Sequence, residues 1–251
     1  MQDIVEIAAR VAGFTVAAMA ALYSFASIAH VPAPLSDDDG SASPPIEASH
    51  VATGDIVLFR GRSATSTIIR TFSHCQWTHV GIAVNRGNHL FLLHSDPKNG
   101  CVDHLSGDGC ETNGVQLNDL GEYVGKYEGD VYIRQLRTDD FDVDELERVM
   151  EELSGCLFSD SLTHKARSAA GATPWIPRCR AGVAGDGKRR FFCSELAAYV
   201  LARCAMLDAE TTDVRNFHPG HFAPDAECFS DCIGEDIYWP FLRPLITTTH
   251  A

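Results

Sequence analysis

Residues 78–95 read THVGIAV, then Asn85-Arg86-Gly87-Asn88, then HLFLLHS. Two runs rich in β-branched and large apolar residues, separated by a short polar segment with a glycine, are the signature of a β-hairpin. A hairpin commits the chain to a sheet, and the side-chain period of two commits each residue to one face. With all four residues 85–88 taken as the turn, His79 lies directly opposite His94. Cross-strand partners have Cβ atoms about 4.5–5.5 Å apart. A base and a residue that orients it therefore emerge from register alone.

The rest of the chain reads as strands first and helices later. GDIVLFRG (54–61) predicts a strand after a Gly-Asp turn, and SATSTIIRTFS (63–73) a short helix capped by Ser63. Residues 96–114 hold four glycines and two cysteines and read as an excursion. GVQLNDLGEYV (114–124) predicts a short strand and a turn of helix, and DVYIRQL (130–136) another strand. DFDVDELERVMEELSG (140–155) spaces its apolar residues for an amphipathic helix ending at Gly155. Residues 159–190 read as a long surface loop, FFCSELAAYVLARCAML (191–207) as the most apolar helix of the domain, and IYWPFL (237–242) as a strand-like segment. That order is α+β: a small antiparallel sheet packed on helices.

Residues 11–29 form a run without charge next to Arg10. As a helix this run reaches about 28 Å, close to a bilayer core of about 30 Å. It reads as a membrane anchor, a cleaved signal peptide or a packed helix, with the anchor preferred over 1–30 and a single pass the expected topology. The compartment is unknown. Residues 31–50 carry four prolines and three consecutive aspartates and read as a disordered linker. The folded domain is expected over 51–245.

The chain of 251 residues has a formal net charge of −14. A domain of that sign repels phosphate backbones, so nucleic-acid binding is not expected. Nine cysteines is an odd number, so at least one thiol is free or pairs between chains.

Cys193 opens the apolar helix after Phe191-Phe192. Unpaired N–H groups and the positive end of the helix dipole gather there, which favours the thiolate of a nucleophilic cysteine. His79 lies on an otherwise apolar strand, where its ring needs a hydrogen-bonding partner, and Cys193 across the fold is one candidate.

The arrangement GDIVLFRG, then THVGIAV with FLLHS, then FFCSELAAYVL resembles the circularly permuted branch of the NlpC-type papain-like superfamily, which includes YiiX-like and lecithin:retinol acyltransferase-like proteins. FHPGHFAP (217–224) resembles the segment that follows the cysteine helix in YiiX-like members. The resemblance covers roughly residues 51–235 and implies a permuted papain-like fold with Cys193 as nucleophile, His79 as base and His94 as the third polar position. It implies a thiol hydrolase or acyltransferase acting on an amide, ester or thioester, with a lipid, lipidated protein or peptide as substrate. The other reading is a structural or assembly subunit in a larger complex, keeping the fold without turnover.

No cofactor is expected. Cys75 with His79, and Cys101 with Cys110, invite a zinc reading, but no CxxC pair supports it, so no metal is expected either. Cys228 and Cys232 read as a disulfide or as two core thiols. His218 and His221 read as a turn, and Lys188-Arg189-Arg190 as a solvated loop or a contact for anionic groups.

Overall fold

Gly54 and Asp55 turn the chain into the sheet. Gly54 has φ +94°, a conformation that side chains disfavour. The Asp55 carboxylate accepts the backbone N–H groups of Ala52 and Leu136, and the Tyr238 hydroxyl donates to the Gly54 carbonyl. One corner thus ties together three distant stretches of chain. The computed structural model describes residues 43–63, 66–67, 70, 75–87, 89–159, 189–208, 213–224 and 236–246.

Among the described residues, nine strands form one sheet: β1 Ile46–Glu47, β2 Ile56–Gly61, β3 His79–Arg86, β4 His89–Asp96, β5 Gly114–Asp119, β6 Gly129–Arg134, β7 Leu157–Phe158, β8 Arg190–Phe191 and β9 Arg243–Ile246. Their spatial order is β1-β9-β6-β2-β3-β4-β5-β7-β8. The interior pairs are antiparallel, whereas β1–β9 and β7–β8 at the two edges are parallel. The sheet is therefore larger than the small antiparallel one expected, and mixed. The extra edge strands span two residues each, too few to leave a period in the sequence.

The expected linker over 31–50 ends earlier than its composition suggests. Ile46 is fully buried and pairs with Leu245, so the fold begins before Val51. Residues 237–242 also differ from expectation. Pro240 cannot donate to a ladder, and Tyr238 makes only an isolated bridge to Leu136 before β9 begins. The candidate anchor 11–29 lies outside the described residues, as do Cys228, Cys232 and most of the 159–190 loop. Among the described residues no helix is long and apolar enough to cross a membrane.

The β3–β4 ladder extends as far as Arg86 paired with His89, and Gly87 follows at φ +69°. The register is thus shifted by two residues from the one expected, and His94 is not the direct partner of His79. A shift of two keeps every side chain on its face, whereas a shift of one would have inverted them all.

Among the described residues, three α-helices cover the sheet. Helix α1, Leu120–Lys126, starts at Asp119, whose carboxylate accepts the Glu122 N–H. Helix α2, Val143–Leu153, starts at Asp142, which caps the Glu145 N–H, and the chain leaves it through Gly155 at φ +79°. Helix α3, Cys193–Arg203, is buried over most of its circumference. Ile56, Leu58, Val80, Ile82, Leu93, Val115 and Leu117 pack with α2 and α3 on one face. Val57, Phe59, Ala83, Leu92, Val131 and Ile133 pack with Leu120 and Tyr123 of α1 on the other.

Candidate active site

His79, at the first position of β3, and His94, near the end of β4, occupy the α1 face of the sheet. The β3–β4 ladder runs from Arg86–His89 to Ile82–Leu93 and stops there, although both strands continue. Gly81 leaves room for the two imidazoles to approach each other. A Cβ on it would stand 3.1 Å from the Cβ of His94 and 2.9 Å from the Leu93 carbonyl oxygen. Without that atom the two rings meet edge to face, with His79 Nε2 and His94 Nδ1 2.8 Å apart. The expected pairing of the two histidines therefore forms, but diagonally, across a glycine.

The neighbouring strand β5 continues the chain of contacts. His94 Nε2 lies 2.7 Å from Asn118 Oδ1. The amide orientations are set by backbone anchors. Asn118 Nδ2 donates to the Val102 carbonyl, which leaves Oδ1 as acceptor. Asn99 Oδ1 accepts the Cys101 N–H, so Asn99 Nδ2 donates, and it too reaches Asn118 Oδ1. An acceptor at Asn118 Oδ1 puts the His94 proton on Nε2. His94 Nδ1 is then the acceptor, and the His79 proton sits on Nε2. The His79 lone pair is left on Nδ1.

Asn118 and Asn99 do not stand out in the sequence. A signal is present in β5, where Gln116 and Asn118 alternate with Val115 and Leu117 and so place two amides on a buried face. Nothing local ties Asn99 to the site. The 96–114 excursion folds back so that its backbone at Cys101 and Val102 orients the amides beside His94.

Cys193 enters from the opposite side. The carbonyl of Phe191 accepts the Ser95 hydroxyl and the Ser159 N–H, which locks the approach to α3 onto the sheet. Glu195 reaches back to the N–H of Phe192, and the Ser194 hydroxyl holds the Phe217 carbonyl. Both side chains serve the first turn of α3. The backbone N–H groups of Val80, Ser194 and Cys193 lie near enough to the sulfur to favour its thiolate. Val80 follows His79 directly, so the sulfur rests beside the first residues of β3.

Burial outweighs those donors. Cys193 is 2% exposed, and desolvation pushes its thiol up to about 12. The low thiol pKa expected from the helix dipole is therefore not what the fold produces. Desolvation also pushes His79 down to about 3 and His94 down to about 4, the latter helped by His79 itself. The resting site holds a neutral thiol and two neutral imidazoles, not an ion pair.

Cys193, His79, Asp96, Asn99, Tyr123, Tyr127, Phe158 and Phe192 line one cavity of about 350 Å³. Asp96 Oδ2 accepts the Tyr123 hydroxyl at 3.0 Å, and burial raises the Asp96 pKa. One nitrogen from each histidine and one Asp96 oxygen lie within 4.8 Å of one another, an arrangement able to hold a metal ion. The zinc pairs suggested by sequence spacing do not assemble this way. Cys75 is buried in the α2–α3 core, Cys101 is buried under α1, and Cys110 is exposed.

The remaining sequence features are structural. His218 and His221 form a turn, in which His221 Nδ1 accepts the His218 N–H and the two rings meet at a tilt of 39° with centroids 3.9 Å apart. Arg189 packs over the rings of Phe191 and Tyr199 and pairs with Glu152.

No family model matches the chain, and no curated protein matches it. Among solved structures it is similar to the crystal structure of the metalloprotein yiiX from Escherichia coli O157:H7. The sequence identity is 18% over 61% of this chain and 66% of that one, with a TM-score of 0.39. The matched region thus spans just under two thirds of that protein's length.

Proposed function

We propose that this chain is a cysteine-dependent hydrolase or acyltransferase of the permuted papain-like type, acting on an amide, ester or thioester. The observation that carries the reading is the relay Asn118–His94–His79, which leaves the His79 lone pair on Nδ1, together with the cavity that both His79 and Cys193 line.

In this reading His79 Nδ1 takes the thiol proton as the Cys193 sulfur attacks the carbonyl carbon. The C–S bond forms, and the carbonyl π electrons move to oxygen. Backbone N–H groups at the start of α3 stabilise that oxyanion. Collapse expels the leaving group, which takes the proton back from His79. Water then releases the acyl group in a hydrolase, and an amine or alcohol accepts it in a transferase. Because both groups start neutral, proton transfer accompanies attack. His94 acts by holding the His79 tautomer. A lipid, a lipidated protein or a peptide is the proposed substrate class, and a tether through residues 11–29 belongs to the same proposal.

The test is labelling with an electrophilic acyl probe. Loss of labelling in Cys193→Ser and a drop of at least about a hundredfold in His79→Ala are expected for general-base catalysis. A folded protein that does not label would favour the assembly-subunit reading, for which a buried, unreactive thiol carries no cost.

A further inference from the structure

We propose that His79, His94 and Asp96 also form a site for one zinc-like divalent ion, and that this ion switches the thiol chemistry off. The inference rests on the reading of His79 as the base.

The ligand set is one such ions use, two imidazoles and a carboxylate, with a coordination position left over for water or substrate. The three ligand atoms lie within 4.8 Å of one another. Bonds of about 2.0–2.1 Å to a tetrahedral centre require nitrogens about 3.4 Å apart. The two nitrogens, now 2.8 Å apart, would spread by about half an ångström to reach that separation, and Asp96 would swing inward.

The outer partners that such ligands need are already in place. His94 donates its other N–H to Asn118, and Asp96 Oδ2 is held by the Tyr123 hydroxyl and, more loosely, by Asn99 Nδ2 at 3.5 Å. Asp96 Oδ1 has no hydrogen bond among the described residues. The cavity that His79 and Asp96 line gives an ion a path inward.

The consequence is a matter of counting protons. In the metal-free site the single His79 proton is on Nε2, shared with His94. An ion bound between His79 Nε2 and His94 Nδ1 displaces it, and the neutral ring carries its proton on Nδ1 instead. No proton is released by either ring. Nδ1 then has no lone pair for the Cys193 thiol, so the metallated enzyme lacks its base although the sulfur is not a ligand.

Zinc ion titrated into the chelator-treated full chain tests this, with bound metal read by equilibrium dialysis and Cys193 reactivity by the rate of acyl-probe labelling. One zinc per chain is expected in wild type and in Cys193→Ser. Binding at least about tenfold weaker is expected in Asp96→Asn, which keeps an acceptor for Tyr123, and in His94→Gln. Labelling of wild type should fall at least about tenfold as zinc fills the site and recover with chelator. Unchanged affinity in both variants, loss of binding in Cys193→Ser, or labelling that zinc leaves alone or accelerates would overturn the proposal. Failure of metal-free protein to label would overturn the thiol-enzyme reading instead, and labelling without zinc binding would leave that reading standing while the metal proposal fails.

Discussion

The imidazoles of His79 and His94 share a 2.8 Å hydrogen bond although the two residues are not cross-strand partners. The bond exists because Gly81, the residue that faces His94 across the hairpin, has no side chain to stand between them. Two strands and one glycine thus build the base of the candidate site before any helix is added.

Gly81→Ala therefore tests the hairpin. Its new Cβ would stand 2.5 Å from Leu92 Cδ1, as well as pressing on the Leu93 carbonyl. Overpacking of that kind costs about 1–3 kcal/mol, so the melting temperature should fall by several degrees and labelling of Cys193 should fall with it. Gly87→Ala is the control, because only its φ of +69° is strained and nothing lies within 4 Å. It should lower stability and leave the labelling rate near wild type. Equal loss of labelling in both would remove the role assigned to Gly81.

Asn118 should act through tautomer, not through contact with substrate. Replacing it with Ala removes the acceptor for His94 Nε2, and outer partners that orient a histidine are typically worth about 10–100-fold. Asn118→Ala should lower the labelling rate in that range, with Asn118→Gln partly restoring it. Imidazole ¹⁵N shifts read the tautomers directly. His79 protonated on Nε2 is expected in wild type, and a mixture in Asn118→Ala.

The thiol should titrate late. Burial holds Cys193 up near about 12, so the rate of alkylation by a small neutral reagent should keep rising through about pH 9. The exposed Cys110 is removed as background by Cys110→Ser. A plateau beginning below about pH 7 would mean a resting thiolate–imidazolium pair and would contradict the neutral site.

Acid should destabilise the fold from about pH 6.5 downward. His79 and His218 are pushed down to about 3, and His94 and His221 to about 4, chiefly by burial. Each binds a proton more readily unfolded, at the ordinary value of about 6.5, so stability is present above that pH and is lost progressively toward the folded values. Asp55, raised to about 6, and Asp96, also raised, work the other way. Four imidazoles outweigh two carboxyls in the window from about 6.5 to about 5. The melting temperature should therefore fall across it, and His218→Gln should blunt the fall. A melting temperature that rises on acidification would show that the carboxyls dominate.

Much of the scaffold is legible in the chain because its signals are local. The apolar spacing over 140–155 marks an amphipathic helix, Gly155 its stop, and Phe191-Phe192-Cys193 the entry to the most apolar helix. The edge strands are not legible, since two residues carry no period. Neither is the burial of Ile46, which comes from Leu245, almost the whole chain away. The hairpin register differs by two residues from the expected one because Asn85 and Arg86 belong to the ladder, paired with Leu90 and His89, and not to the turn.

The sequence by itself determined that His79 and His94 share a face, because a strand's side chains alternate with a period of two and any even shift in register preserves that relation. It also determined that Cys193 begins a helix. Only the tertiary structure decided the rest. It brought Asn118 and the 99–103 backbone onto His94, set Asp96 beside both rings, and buried Cys193 at the wall of the cavity. Proton position and thiol acidity depend on groups within a few ångströms and on the solvent they exclude, and folding alone assembles that neighbourhood.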